Sequence, residues 1–506
     1  MGKKFYITPT IPYVNAEPHI GFALEIVQVD VIARYQRLSG KKVFFNAGTD
    51  EHGLKIYRKA LEEKKEPQDY VDEYAAKFDR LKGALNLSYD NFVRTTDAHH
   101  KKAAQEFWKL CKKNGDIYKK HYKIKYCVGC ELEKTDSELE KDRCPVHPNQ
   151  DLEIIEEENY FFKFSKYEDK LLKFYEENPE FVVPEYRFTE IKNFVKKGLQ
   201  DFSISRLKAK MPWGVDVPED SEHVMYVWFD ALINYISSVG WPEKKDFDGF
   251  WPGAQVAGKD NLRQQAAIWQ AMLMSAELPN SKQILIHGFI TKDGKKISKS
   301  LGNTVDPIAL AKKYGTEAVR YYLLAKTHPF NDSNFTYKSF KEVYNADLAN
   351  GLGNLVARIL TMADKFTEGK VPEVDKDPEK HPIQVLERNV WKDLDKYVKK
   401  YEFHKVLNLI WSLIHDVDKY IDENKPWELA KNSKQKEVNW VVYGLLDVLK
   451  DIAWLISPFL PETAVKIGEA INFEGLKKKN PLFKDSWSSV KPGTEIRKIK
   501  PLFPRF

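Results

Sequence analysis

Cysteine is scarce: four in 506 residues. That is too few for a disulfide framework and excludes a stapled secreted scaffold. Long apolar runs are also lacking. No stretch reaches the roughly 18 residues that a membrane-crossing helix needs. The best candidate, Trp440–Leu449, runs into Lys450 and Asp451. The N-terminus, Met-Gly-Lys-Lys-Phe-Tyr, lacks the apolar core of a secretory leader, and Tyr6 stands where a myristoylation signal has Ser or Thr. Neither sign of charge dominates: 80 Lys+Arg against 74 Asp+Glu leave +6. Such a balance suits a nucleic-acid partner without requiring one. Low-complexity segments and repeats of about 20–50 residues are absent. A cytoplasmic protein with no membrane partner is the expectation. What is present packs well: 42% of residues are hydrophobic and 13% aromatic, and about 150 residues per domain predicts roughly three domains.

Phe5–Thr8 reads as a strand, and Pro9–Pro18, with three prolines, as a loop. In His19–Ser39, Ile20, Leu24, Val27, Val31 and Tyr35 recur at three- and four-residue steps, which predicts a helix stopped by Gly40. Val43–Ala47 is again a strand, so the chain opens with a βαβ unit and a parallel sheet. Residues 115–215 differ. They hold three of the cysteines, the acidic run Glu153–Glu158 and the strand-like Tyr160–Phe164, and read as an insertion. Tyr226–Tyr235, Gln255–Ala257 and Gln283–His287 resume the α/β pattern. From Asn345 amphipathic helices take over, two of them joined by the linker Val371–Pro382. The expected organisation is therefore α/β: two halves of one domain at 1–114 and 216–290, the insertion at 115–215, a lysine–serine loop and stem-contact region at 291–344 and a helix bundle at 345–506.

Three clusters carry chemistry. Pro-His19-Ile-Gly21 enters the first helix, where unpaired N–H groups and the positive dipole end suit a phosphate. Alone, a histidine there is more often a cap than a ligand. Lys292–Gly302 (KDGKKISKSLG) crowds Lys296, Ser298, Lys299 and Ser300 into a Gly-flanked loop that can fold over a polyphosphate. Its lysines can neutralise a departing pyrophosphate. Cys127-x-x-Cys130 and Cys144-Pro-Val-His147 are two chelating pairs, which predicts one structural, tetrahedral zinc per chain.

His-Ile-Gly opening the first helix and Lys-Ile-Ser-Lys-Ser far downstream together resemble the two signatures of class I aminoacyl-tRNA synthetases. Further stretches resemble the methionyl family within that class: Pro12–Asn15, Gly48–Gly53 (GTDEHG), Tyr226–Leu232 (YVWFDAL), Gly258-Lys259-Asp260 and Lys295–Pro307. The resemblance runs essentially end to end. It implies a Rossmann-type catalytic domain with a zinc-bearing insertion, followed by an all-α anticodon-binding bundle. The implied partners are ATP with Mg²⁺, L-methionine and tRNA(Met).

Carried over by position, Thr8, His19, Gly21, Gly258, Asp260, Lys296, Ser298 and Lys299 would bind ATP, with His19, Lys296 and Lys299 catalytic. Ile11, Tyr13, Asp50, Trp228, Ala231, Asn261, Gln265 and Trp269 would form the methionine pocket, Asp50 taking the ammonium and the aromatic faces the thioether. Asn354, Arg358 and Trp427 would read the anticodon.

Three positions depart from the family pattern. Phe22 stands for the second signature histidine, Gln265 for a pocket histidine and Asn261 for an aliphatic residue. They leave two alternatives open: a class I ligase of altered amino-acid specificity, or a catalytically dead tRNA-binding relative. The chain stops soon after the basic stretch Lys491–Arg505, without an added dimerisation module, so a monomer is expected.

Overall fold

A computed structural model describes residues 3–130, 132–134, 136–243, 246–297, 302–477, 482–483 and 489–505. Six strands form one sheet in the spatial order Asn91–Arg94, Lys42–Thr49, Lys4–Pro9, Ala254–Gly258, Gln283–His287, Val182–Val183. Every adjacent pair is parallel. Successive strand residues point to opposite faces, and the sequence fills both. Ile7, Val256 and Leu285 join a core shared with the helix Ile20–Leu38. Tyr6, Ala257, Ile284 and Ile286 join a second core with Phe107, Trp108 and Trp269. Strand order runs outward from Lys4–Pro9 on one side and restarts at Ala254–Gly258 on the other. That reversal opens a crevice at the carboxyl ends of these two strands, where open α/β sheets bind ligands.

The insertion is built on the antiparallel pair Ile117–Cys127 and Glu153–Phe162. The acidic run seen in the sequence is the mate of a basic strand: Lys123 lies 2.9 Å from Glu156 and Lys119 4.0 Å from Glu158. The return to the main sheet comes earlier than the expected boundary at 215. Val182–Val183 is already the sixth strand, paired with Ile284 and Leu285, and two valines are too short a run to stand out as a strand. Helices likewise start before Asn345, with Pro307–Tyr314 and Thr316–Ala325.

The C-terminal half contains Asn354–Phe366, Pro382–Lys399, Phe403–Asn424, Gln435–Ile456 and Pro461–Ala470. Fully buried Arg320 rivets it to the sheet domain. Its guanidinium lies 2.8 Å from Asp30 on the first helix and donates to the carbonyls of Leu85, Pro458 and Phe459 at 2.8–3.1 Å. A buried arginine persists only when its donors are matched in this way. No helix among the described residues is long and apolar enough to cross a membrane.

Candidate active site

His19 caps the first helix. Its backbone is extended, and Nδ1 accepts from the Gly21 N–H at 3.0 Å. With Nδ1 used as acceptor, the neutral ring carries its proton on Nε2, the tautomer that can donate to a phosphate oxygen. A Cβ on Gly21 would meet the His19 ring at 2.9 Å, so glycine is what lets the ring fold over this amide. The first turn has no acidic residue, and the helix end stays attractive to anions. Phe22 packs edge-on against Phe78, ring centroids 5.4 Å apart, and so serves as an anchor where the family signature has a second histidine.

Sheet geometry separates two threonines. Thr8, expected at the nucleotide, is fully buried; its hydroxyl donates to the Pro9 carbonyl at 3.0 Å and accepts from Asn46 at 3.4 Å. Thr10 instead stands past the strand end. Its N–H and hydroxyl both donate to Glu25 Oε1, at 2.7 and 2.5 Å, while Glu25 Oε2 lies 2.8 Å from His287 Nε2. This bridge spans the switch point. Burial opposes charge on His287, but Glu25 prevails and holds its pKa above the ordinary histidine value. Gly258 is buried at the end of its strand, and a Cβ there would meet Asp260 Oδ1 at 2.8 Å. The absent side chain lets the Asp260 carboxylate curl back over the strand end.

The second signature leaves the same crevice. Ile290–Lys292 and Lys295–Lys296 form a hairpin whose turn, Asp293-Gly294, has positive φ at both residues. The side chain of Lys296 and all of Ser298 and Lys299 lie outside the described residues. Downstream of them the chain returns to the first helix: the Ile20 N–H donates to the Val305 carbonyl at 3.0 Å. Asp306 then caps Pro307–Tyr314.

The residues expected at an amino-acid pocket are also well anchored. Asp50, 3% exposed, pairs with the Tyr13 loop through its backbone: its N–H donates to Pro12 at 2.9 Å, and its carbonyl accepts from Val14 at 3.2 Å. Tyr13 meets Trp228 edge-on at 6.1 Å. Trp228 and Ala231 share the short helix Val227–Ala231. Gln265 is buried in the wide π-helical turn Gln264–Ile268, donates to the Tyr235 hydroxyl at 2.7 Å and accepts from Gln255 at 3.4 Å. Trp269 is fully enclosed, stacked on Phe107 and edge-on to Tyr235 and Trp251. Its ring is enclosed by these neighbours. Ile11 and Asn261 are half-buried.

Glu25, His287, Tyr235 and the cluster Asp230–His52–His100 escape a reading of motifs. His52 and Asp230 lie inside Gly48–Gly53 and Tyr226–Leu232, but their pairing across 178 residues has no sequence signal.

The cysteine cluster has the geometry of a metal centre. The Sγ atoms of Cys127, Cys130 and Cys144 and a ring nitrogen of His147 lie within 4.8 Å of one another. Cys130 Sγ is 3.5 Å from Cys144 Sγ and 3.2 Å from His147 Nδ1, and Cys127 Sγ is 3.7 Å from Nδ1. A tetrahedral ion with Zn–S of about 2.3 Å and Zn–N of about 2.0 Å separates its ligands by roughly 3.5–3.8 Å, so the donors present fit such an ion. Gly129 makes room, since a Cβ there would meet the His147 ring at 2.6 Å.

In the bundle, Asn354 begins its helix on an exposed face, one turn before Arg358. Trp427, 42% exposed, follows Lys425, whose φ of 42° turns the chain into the helix Pro426–Lys431. The Arg358 guanidinium is engaged by Asp418 and, at 2.7 Å, by Asp422. Asn345, Asn350, Asn354 and Arg505 line an adjacent open cavity of about 440 Å³.

A parallel nucleotide-binding sheet whose first helix is capped by a His-Ile-Gly signature, split by an insertion and followed by a helix bundle, defines a class I aminoacyl-tRNA synthetase. The family described as tRNA synthetases class I (M) matches residues 5–152 and 133–360, and the anticodon-binding domain of tRNA ligases matches residues 388–501. The methionine–tRNA ligase of Thermotoga maritima is 41% identical over 512 residues, covering 99% of this chain and 80% of that protein. That of Thermosynechococcus vestitus is 42% identical over 488 residues, covering 94% and 92%. The solved structure of Mycobacterium tuberculosis methionyl-tRNA synthetase in complex with methionyl-adenylate superposes with a TM-score of 0.94 at 37% identity, covering 99% of this chain and 100% of that one. The chain belongs to the methionine–tRNA ligase family.

Proposed function

We propose that the chain condenses methionine with ATP to methionyl-adenylate and pyrophosphate, then transfers the methionyl group to the 3′-terminal adenosine of tRNA(Met). The observation that carries this reading is the Ile20–Val305 hydrogen bond, which ties the His-Ile-Gly helix start to the chain a few residues after the second signature. A methionine carboxylate oxygen attacks the α-phosphorus as the bond to pyrophosphate breaks. No general base is required, because that carboxylate is ionised at pH 7. The chain therefore contributes positioning and charge stabilisation. His19 donates Nε2–H to the phosphates, Gly258 and Asp260 hold the adenosine, and Lys296, Ser298 and Lys299 close over the departing pyrophosphate. Asp50 takes the ammonium; Tyr13, Trp228 and Ala231 enclose the thioether, backed by Trp269 and Gln265. Mg²⁺ accompanies the ATP phosphates.

Pyrophosphate exchange into ATP, measured with each amino acid and homocysteine in turn, tests this reading. Exchange stimulated by methionine is expected. Exchange driven by another amino acid would assign the Gln265 pocket a different substrate, and none with any amino acid would leave only a tRNA-binding relative.

In the insertion, Cys127, Cys130, Cys144 and His147 hold a structural Zn²⁺ that fastens the hairpin tip. Metal analysis of protein purified without chelator is expected to give about one zinc per chain, and Cys130→Ser about none. Protein that lacks zinc and melts at an unchanged temperature after chelation would refute this.

A further inference from the structure

We propose that Asp230 is the positioning residue of the amino-acid pocket: one carboxylate, gripping His52 and His100, sets the distance between the ammonium-binding and thioether-binding walls. The proposal rests on Asp50 and Trp228 forming those two walls. Asp230 is fully buried, as is His100, and His52 is 2% exposed. Oδ2 lies 2.7 Å from His52 Nδ1 and Oδ1 lies 2.9 Å from His100 Nε2. The far side of His100 is fixed in turn, with Nδ1 3.1 Å from the Ser237 hydroxyl. Burial disfavours the charge on Asp230, but the two imidazoles outweigh it and hold the carboxyl well below its ordinary range. The group is therefore a carboxylate, and each imidazole presents an N–H to it.

What the carboxylate holds gives the grip its meaning. Asp230 sits between Trp228 and Ala231 on one short helix. His52 sits two residues after Asp50, and the three residues from Asp50 to His52 are each tied to a different element. The Asp50 backbone pairs with the Tyr13 loop. Glu51 accepts from Arg94 at 2.7 and 2.9 Å and from Thr49 at 2.6 Å. His52 reaches Asp230. The His52 leg hydrogen-bonds to the Trp228 helix, next to the looser edge-on ring contact of Tyr13 with Trp228, and is the strut between the two walls. A small ligand held at both ends is sensitive to such a strut, because misplacement by about 1 Å removes a large part of the binding and orientation effect. ATP, held by the other half of the crevice, is not.

Asp230→Asn keeps the volume and removes the charge that orients both rings. In methionine-dependent pyrophosphate exchange it is expected to raise the KM for methionine about tenfold or more, with the KM for ATP within about a factor of two. Should that variant fail to fold, Ser237→Ala, which loosens only the outer leg, is expected to raise the methionine KM about threefold with an unchanged melting temperature. Parallel rises in both KM values, or no change in either variant when folded, would overturn the proposal. Asp50→Ala is the control for the underlying reading. If it leaves the methionine KM unchanged, the ammonium assignment fails; if it raises that KM while Asp230→Asn does not, only the strut fails.

Discussion

Replacing Lys299 by alanine is expected to slow methionyl-adenylate formation by about 10²–10³-fold, roughly 2.7–4 kcal/mol of lost transition-state stabilisation, the range for one preorganised charge-stabilising group. The loop that carries Lys299 is tethered on both sides. On one side it leaves the hairpin Ile290–Lys292/Lys295–Lys296, which follows the strand Gln283–His287 in the chain and pairs with Ser333–Phe335. On the other, Val305 is bonded to the helix that His19 caps. Lys299 itself lies outside the described residues, and its role is the one proposed above. Negative charge grows on pyrophosphate as it departs, so a cation there interacts more strongly with the transition state than with bound ATP. Such an interaction raises the rate without tightening amino-acid binding. Methionine affinity, read by tryptophan fluorescence, is accordingly expected to stay within about a factor of two, while rapid-quench adenylation falls. A variant that forms adenylate at the parental rate would remove Lys299 from this role.

Local rules were legible where one element carried the signal. The helix over Ile20–Leu38 follows from apolar spacing, and its cap from a histidine at the loop–helix junction. The two chelating pairs converge because their spacing alone brings four donors together. What the sequence hides is non-local. Val182–Val183 joins the sheet because of its neighbour Gln283–His287, not because two valines prefer a strand. Thr8 and Thr10 read alike in one dimension, yet one hydroxyl lies within the sheet and the other at its edge. Glu25 and His287, 262 residues apart, and Asp230 with His52, 178 apart, form pairs that no window along the chain contains. Buried polar groups of this kind must find partners, but which partner is settled only by the strand order.

Trp427→Ala is expected to separate the two ends of the molecule: tRNA charging falls while pyrophosphate exchange stays within about a factor of two of the parent. Trp427 is a large aromatic that keeps 42% of its surface exposed at the start of a short helix. The chain could have buried it, as it buries Trp108, Trp269 and Trp454. An exposed ring suits an unstacked base, offering a face for stacking. Arg358 is already engaged by Asp418 and Asp422, which raise its pKa against the opposing effect of burial. To contact a base it must release one carboxylate, so part of its interaction is exchanged and not gained. Trp427 has no such exchange to make, and its ring is the larger net contributor. Stacking on one aromatic is worth about 1–3 kcal/mol per base, or roughly 5- to 150-fold in kcat/KM for tRNA. Arg358→Ala is expected to lose less, because any contact Arg358 makes with a base is exchanged for one it already makes with Asp418 or Asp422. The crevice that forms the adenylate lies in the other half of the chain and depends on neither residue. Loss of exchange in step with charging would show that Trp427 supports the fold and does not read the anticodon.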